Sequence, residues 1–104
     1  MPRKPRSTLF RIMESIRDEY GDEERERREV AEAIRNEGID GWLVVYDLPA
    51  GRRNRFYKNL AKVSAARLTM SELLFDSRLV AEAVARLAEW CGGRASVYAV
   101  KRIR

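Results

Sequence analysis

The sequence contains no histidine and no glutamine, and Cys91 is its single cysteine. Without histidine, the Ser–His and Cys–His pairs of nucleophilic catalysis are excluded. A zinc site of the usual Cys/His kind is excluded for the same reason, and one cysteine cannot form an intrachain disulfide. Any general base in this chain is therefore a carboxylate, a lysine or a tyrosine, and we expect Cys91 to be a small core residue.

Long apolar segments and glycine-rich phosphate motifs are also missing. No apolar run approaches the roughly eighteen residues that a membrane-spanning helix needs, and no signal-peptide pattern is present. We therefore expect a cytoplasmic protein with no membrane partner. The patterns G-x-x-x-x-G-K and G-x-G-x-x-G do not occur. The lack of Gln and His beside abundant Arg and Glu favours a thermophile as the source, although GC-rich genomes share this bias.

What the 104-residue chain does contain is charge, and the charge is unevenly distributed. Hydrophobic residues make up 45%, enough for one small core, while charged residues make up 36% and the net charge is +5. Residues 7–38 carry ten acids and six bases, whereas residues 39–104 carry twelve bases and six acids. Basic surfaces attract polyanions, so the second half favours DNA or RNA as a partner. The simpler explanation is a soluble surface rich in ion pairs.

Periodicity divides the chain into three parts. They are a flexible basic arm at residues 1–6, a helical extension at residues 7–38 and a folded domain at residues 39–104. In the extension, apolar residues at helical spacing from Leu9 to Tyr20 predict an amphipathic helix, and a mostly charged helix follows and ends before Gly38. We interpret the charged helix as a solvated surface or, alternatively, as the contact for a protein partner.

The folded domain predicts the element order β-α-β-β-α-β. Its predicted elements are a strand at Trp42–Tyr46, a helix from Arg52 to about Val63, two short strands within Ala66–Phe75, a helix between Ser77 and Gly92, and a strand at Ala95–Ile103. This order is typical of the ferredoxin-like fold, an α+β arrangement with both helices on one face of an antiparallel sheet, here with two extra N-terminal helices. The other face needs a cover, which the N-terminal helices or a second subunit could supply.

Asp47 directly follows the apolar strand run Trp42–Tyr46. A carboxylate at the end of a strand suits an ion that prefers oxygen ligands. We therefore predict a Mg²⁺ or Mn²⁺ site at which Asp47 is both the metal ligand and the catalytic residue. One carboxylate is a poor site alone, but a two-fold dimer could bring two copies to one ion. The alternative is that Asp47 caps a turn or hydrogen-bonds the backbone of the loop at Pro49.

Basic residues follow Asp47 at the start of the next helix. Guanidinium groups match phosphate oxygens, whereas an arginine opposes the helix dipole at this end, at a cost of a few tenths of a kcal/mol per charge. Because these arginines are placed unfavourably for the helix dipole, their position favours a role in phosphate contact. The predicted nucleic-acid-binding set is Arg52, Arg53, Arg55, Lys58 and Arg67. The alternative is that the arginines are solvated, with one of them paired to Asp47.

Two motifs resemble a known family. The segment V-V-Y-D-L-P at residues 44–49, followed by an arginine-rich helix start, is similar to the opening strand and loop of CRISPR-associated protein two. The segment R-L-T-M-S-E-L-L-F at residues 67–75 is similar to that family's second motif, in which Ser71 takes the place of a mid-strand serine. The resemblance covers about residues 41–103, and residues 1–38 have no counterpart in the minimal family member.

The resemblance implies a ferredoxin-like homodimer with its sheets face to face, acting as a metal-dependent nuclease or as the scaffold of an integration complex. The strand-end acid of that family falls on Asp47 and its basic helix start on Arg52, Arg53 and Arg55. Orphan or virus-borne relatives fit the same pattern. The C-terminal part of phenylacetate-type repressors begins with a similar motif, but it lies behind a winged helix that 38 residues with two helices are too short to form.

Three functional hypotheses remain open at this point. The first is a dimeric nucleic-acid-binding protein with possible metal-dependent endonuclease activity at Asp47. The second is a non-enzymatic regulatory or protein-interaction module. The third is an RNA-binding domain of the RRM type, which the absence of the aromatic pattern K/R-G-F/Y-G/A-F-V-x-F/Y disfavours. Binding ranks above catalysis, since it needs only the charge distribution.

Overall fold

The computed structural model describes residues 8–20, 23–61, 66–69 and 71–103. Within these ranges the chain forms an α+β fold of four helices and one four-stranded antiparallel sheet. The elements are α1 Thr8–Tyr20, α2 Glu23–Glu37, β1 Gly41–Asp47, α3 Arg53–Leu60, β2 Ala66–Thr69, β3 Glu72–Phe75, α4 Arg78–Trp90 and β4 Arg94–Val100. The predicted arm at residues 1–6 and the predicted inward-facing Val63 lie outside the described residues.

The sheet has the strand order β2-β3-β1-β4. Strand β1 pairs antiparallel with β3 on one side and with β4 on the other, and β2 pairs antiparallel with β3. As a result, β1 and β2 run parallel with β3 between them, and β3 and β4 run parallel with β1 between them. Helices α3 and α4 therefore each connect two parallel strands that are not neighbours.

Successive side chains of a strand point to opposite faces of the sheet, and burial follows this alternation. One face, here called the covered face, carries the buried residues Trp42, Val44, Tyr46, Leu73 and Phe75. The other, here called the open face, carries the less buried residues Leu43, Val45, Leu74, Tyr98 and Val100. Asp47 and Arg94 lie on the open face at the end where β1 finishes and β4 begins.

Helix α4 provides most of the packing on the covered face. Ser77 caps its start by accepting a hydrogen bond from the Val80 N–H at 3.3 Å. At its end Gly92 adopts a φ of +86°, a conformation that favours glycine, and the Gly93 N–H donates to the Ala88 carbonyl at 2.9 Å. The helix is buried both toward strands β1, β3 and β4 and toward α1.

Helix α1 packs on α4 and α3, so it forms a further layer behind the helices. The Leu9 N–H donates to the Asn59 side-chain oxygen at 3.3 Å, and the Asn59 amide nitrogen donates to the Arg55 carbonyl at 3.0 Å. Asn59 is only 9% exposed, so these bonds compensate for the burial of its amide. The sequence predicted that the N-terminal helices or a second subunit would cover the open face. Helix α1 does not cover it, because α1 lies on the opposite side of the sheet.

Several predicted boundaries need correction. Helix α3 covers Arg53–Leu60, with Arg52 as its N-cap and Ala61 as its C-cap, and the predicted end near Val63 lies outside the described residues. Strand β4 ends at Val100 and not at Ile103. Asp40 terminates the pairing, because the Asp40 N–H donates to the Val100 carbonyl and the Asp40 carboxylate accepts from the Arg102 N–H. The two short strands within Ala66–Phe75 are present, as β2 and β3.

Among the described residues, no helix has the length and apolar character that a membrane crossing requires.

Candidate functional site

Asp47 is the last residue of β1 and is exposed to solvent. Two depressions in the surface meet around it, one of about 370 Å³ on the side of β4 and one of about 90 Å³ on the side of α3. Both are lined by Tyr46, Asp47 and Ser71. The first is completed by Arg94 and its neighbours in β4, and the second by Arg53 and Tyr57. We call the two depressions together the Asp47 groove.

Ser71 reaches this groove because of the sheet pairing. Its carbonyl accepts a hydrogen bond from the Tyr46 N–H at 3.0 Å, which places the turn between β2 and β3 beside the end of β1. Two residues that are 24 positions apart in the sequence, Asp47 and Ser71, thus line the same surface. Both residues were predicted as site residues and lie together, but Ser71 is in the turn between β2 and β3 and not in mid-strand, as the family resemblance implied.

The Asp47 carboxylate is not engaged by the rest of the described chain. Neither a hydrogen bond nor an ion pair joins it to any residue that the structure describes, although Arg94 lies directly opposite in β4. The turn-capping alternative for Asp47 and the pairing with an arginine are therefore not observed within the described ranges. The carboxylate is left available to a ligand from solution.

The three arginines at the start of α3 do not form one cluster. Arg53 lines the Asp47 groove. The Arg55 guanidinium instead lies over the ring of Trp90, 5.0 Å from its centroid, at the end of α4. Arg52 is the exposed N-cap residue of α3, and its charge acts, with that of Arg55, on Cys91. The predicted arginine set is therefore divided between two neighbouring surfaces.

The remaining members of the predicted binding set lie elsewhere. Lys58 is exposed on α3 and does not line the Asp47 groove. Arg67 belongs to β2, and its side chain is outside what the structure describes.

The site residues predicted from the sequence do not include Arg94 and Tyr57, which also line the groove. Arg94 faces Asp47 only because of the register between β1 and β4, which no local sequence pattern encodes. The Tyr57 hydroxyl lies 3.2 Å from the Tyr46 hydroxyl. The single local signal for Arg94 is its position directly after the Gly92-Gly93 helix end, where a basic residue begins the last strand.

The groove does not fit a metal ion within one copy of the chain. Asp47 is its only carboxylate among the lining residues, and the described ranges contain no group of three or more Cys, Asp or Glu side chains placed to hold a metal. Arg94 lines one depression and Arg53 the other, and their positive charges disfavour a bound cation. One carboxylate between two arginines is therefore a poor site for Mg²⁺ or Mn²⁺ in a single copy.

Cys91 lies behind the groove in the core, 2% exposed, as predicted. Burial raises the pKa of its thiol, and the positive charges of Arg55 and Arg52 offset part of this effect. A buried thiol with a raised pKa is a poor nucleophile, so Cys91 is a packing residue.

Comparisons of this chain with protein-family models, with curated proteins and with solved structures find no match in any of the three. The resemblance to CRISPR-associated protein two therefore rests on the two short motifs alone.

Proposed function

We propose that the chain is a nucleic-acid-binding protein that acts as a homodimer, with the Asp47 groove as its contact to the phosphate backbone. The observation that carries the proposal is the placement of Arg53 and Arg94 on either side of Ser71 in one groove. Guanidinium groups and a serine hydroxyl are ordinary donors to phosphate oxygens. The excess of basic residues after residue 38 supports the same partner class.

The fold that we propose for residues 39–104 is the ferredoxin-like one. Its support is the element order β1-α3-β2-β3-α4-β4, together with two helices that each connect parallel, non-adjacent strands. Among the residues that the structure describes, this arrangement leaves one face of the sheet without a helix. The proposal of a homodimer depends on that face.

The open face supports pairing with a second copy. An antiparallel sheet that faces water usually carries polar side chains on that side. The open face has Glu72 and Ser96 on either side of Val45, but toward the other end of β1 it carries Leu43, Leu74, Tyr98 and Val100, and Tyr98 is 54% exposed. Exposed apolar side chains grouped in this way support an interaction site, and a two-fold partner would offer the same surface in return.

We propose metal-dependent cleavage only for the dimer. One copy supplies a single carboxylate, so a Mg²⁺ or Mn²⁺ site would need the Asp47 of a second copy. Scaffolding of an integration complex needs no such site, since it requires binding alone. We therefore place binding first and cleavage second.

The experiment that tests the function is a titration of labelled DNA and RNA, as duplexes and as single strands, at two salt concentrations. Each titration is repeated with Mg²⁺ and with Mn²⁺, and the products are examined for cleavage. We expect binding that weakens as salt rises and survives Asp47→Ala. Cleavage that requires the metal and disappears in Asp47→Ala would add the nuclease, whereas the absence of binding to every nucleic acid tested would refute the proposed function.

A second candidate, a protein-interaction module, is favoured by one observation. An open cleft of about 340 Å³ lies between α2 and the start of α4, and it is lined by Val30, Ala31, Ile34 and Leu79 among others. Ile34 is 50% exposed in this cleft. If nucleic-acid binding fails, this surface of the helical extension becomes the leading site for a protein partner.

A further inference from the structure

Trp90, the last residue of α4, is 51% exposed. A single exposed aromatic side chain is normal on a protein surface, so exposure alone assigns no role. What distinguishes Trp90 is its surroundings. The other tryptophan of the chain, Trp42, is 5% exposed in the sheet, which shows that the fold has buried one indole and left the other in solvent.

Positive charge surrounds the exposed ring. The guanidinium carbon of Arg55 lies 5.0 Å from the ring centroid, within the distance of a cation–π contact. No acidic side chain pairs with Arg55 among the described residues. The result is an aromatic surface beside an unneutralised guanidinium group.

This surface lies at the same end of the sheet as the Asp47 groove. Gly93 packs directly against the Asp47 carbonyl, and a Cβ added at Gly92 would lie 3.7 Å from the Pro49 ring. The end of α4 therefore contacts the loop that leads from Asp47 to Arg52. Arg53 belongs to the groove, while Arg55, two residues further on, belongs to the Trp90 surface.

We propose that Trp90, with Arg55, forms a subsite that stacks an unpaired base of single-stranded nucleic acid, while Arg53 and Arg94 of the Asp47 groove hold the phosphates of the same strand. The inference rests on the proposed function and names its substrate class. Bases stack on indole rings and on guanidinium planes, and arginines beside them hold the backbone. A base within a duplex has both faces covered by its neighbours and cannot use Trp90 in this way.

The test compares an oligothymidylate strand with a duplex of the same length, bound to the full chain and to single variants. We expect Trp90→Ala to weaken strand binding by about tenfold and to leave duplex binding within about twofold. Trp90→Phe keeps an aromatic ring and should retain most of the affinity. Phe10→Ala is the matched control, because Phe10 is an exposed aromatic residue of α1, 49% exposed, on a different element.

Two further readouts separate stacking from charge and from misfolding. Arg55→Ala should reduce the slope of log affinity against log salt by about 0.7 for a single strand, whereas Trp90→Ala should leave the slope unchanged. Strand binding should also quench tryptophan fluorescence, and Trp90→Phe should abolish the quenching, since only the buried Trp42 then remains.

The outcomes distinguish the inference from the function beneath it. If the chain binds both nucleic acids and Trp90→Ala changes neither affinity nor quenching, the stacking subsite is wrong and the proposed function stands. If the strand binds no better than the duplex and both depend equally on Trp90, the assignment to unpaired bases is wrong. If neither nucleic acid binds, both proposals are wrong.

Discussion

The two faces of the sheet are built from similar residues and have different environments. On β3, Leu73 is 2% exposed on the covered face, while its neighbour Leu74 is only partly buried on the open face. On β1, Val44 and Val45 differ in the same way. Apolar character in the strands therefore does not by itself show which face is the core. The helices on one side decide it, and the apolar residues on the other side stay more exposed.

This difference separates stability from assembly. The covered face, with α4 and α1 behind it, holds most of the buried side chains of the fold. The open face adds little burial in one copy, and we assign it to the proposed dimer. Substitutions on the two faces should then change different quantities, the free energy of unfolding on one side and self-association on the other.

The largest effect is expected at Phe56 of α3, which packs against Tyr46 of the covered face. This side chain is fully buried, and its ring contacts the Tyr46 ring at 4.8 Å and the Tyr57 ring at 5.5 Å between centroids. Phe56→Ala should lower the free energy of unfolding by about 3–5 kcal/mol, from lost burial and the cavity that remains. Urea denaturation measures it. A loss below about 1 kcal/mol would show that the covered face is not the main core.

The neighbouring pair Leu73 and Leu74 tests the comparison with the same chemical change on both faces. Leu73→Ala should lower the free energy of unfolding by about 2–5 kcal/mol. Leu74→Ala should cost much less at protein concentrations where the chain is a monomer, and it should weaken self-association measured by sedimentation. Equal losses of stability at all concentrations would contradict the assignment of the open face to a partner.

A smaller effect is expected at Asn59, which attaches α1 to the covered side. Asn59→Ala leaves the Leu9 N–H without its acceptor in a buried position, at a cost of about 1–3 kcal/mol. Hydrogen exchange should show faster opening of the first turn of α1. Asn54→Ala, an exposed asparagine of the same helix, is the control and should change stability by less than about 0.5 kcal/mol. Unchanged exchange in Asn59→Ala would mean that α1 is held by apolar packing alone.

The smallest effect is expected from pH acting on Cys91. Because burial raises the pKa of this thiol in the folded chain, the unfolded chain loses its proton first as the pH rises. The stability that the protonated Cys91 thiol contributes is complete below the ordinary pKa of a thiol. It is lost as the pH rises through the raised pKa of the folded chain. The wild-type chain should therefore lose more stability in alkaline solution than Cys91→Ala. If the free energies of unfolding of the two proteins fell in parallel as the pH rose, this prediction would be wrong.

Much of the fold follows from local patterns in the sequence. The Ser77 cap, the Gly92 helix end and the break between β2 and β3 are all encoded by residues close to them. What local patterns do not encode is pairing and packing. Arg94 was missed because its place opposite Asp47 depends on strand register, and the position of α1 depends on a contact between Leu9 and Asn59, 50 residues apart.

The candidate site was predicted in part for the same reason. Asp47, Arg53 and Ser71 were nominated and lie together, since the strand end and the turn that carry them are set by local sequence. The division of the arginines was not predictable, because it depends on where the end of α4 presents Trp90 to Arg55. Neighbours in sequence at a helix start can thus serve two surfaces.

The most direct test of the central claim is the salt dependence of nucleic-acid binding by the double variant Arg53→Ala/Arg94→Ala. The control is Arg35→Ala, which removes an exposed arginine from α2, outside the groove. If the Asp47 groove contacts phosphates, the slope of log affinity against log salt on duplex DNA should fall by about 1.8 in the double variant and by much less in the control. Equal slopes for the wild-type chain, the control and the double variant would contradict the account.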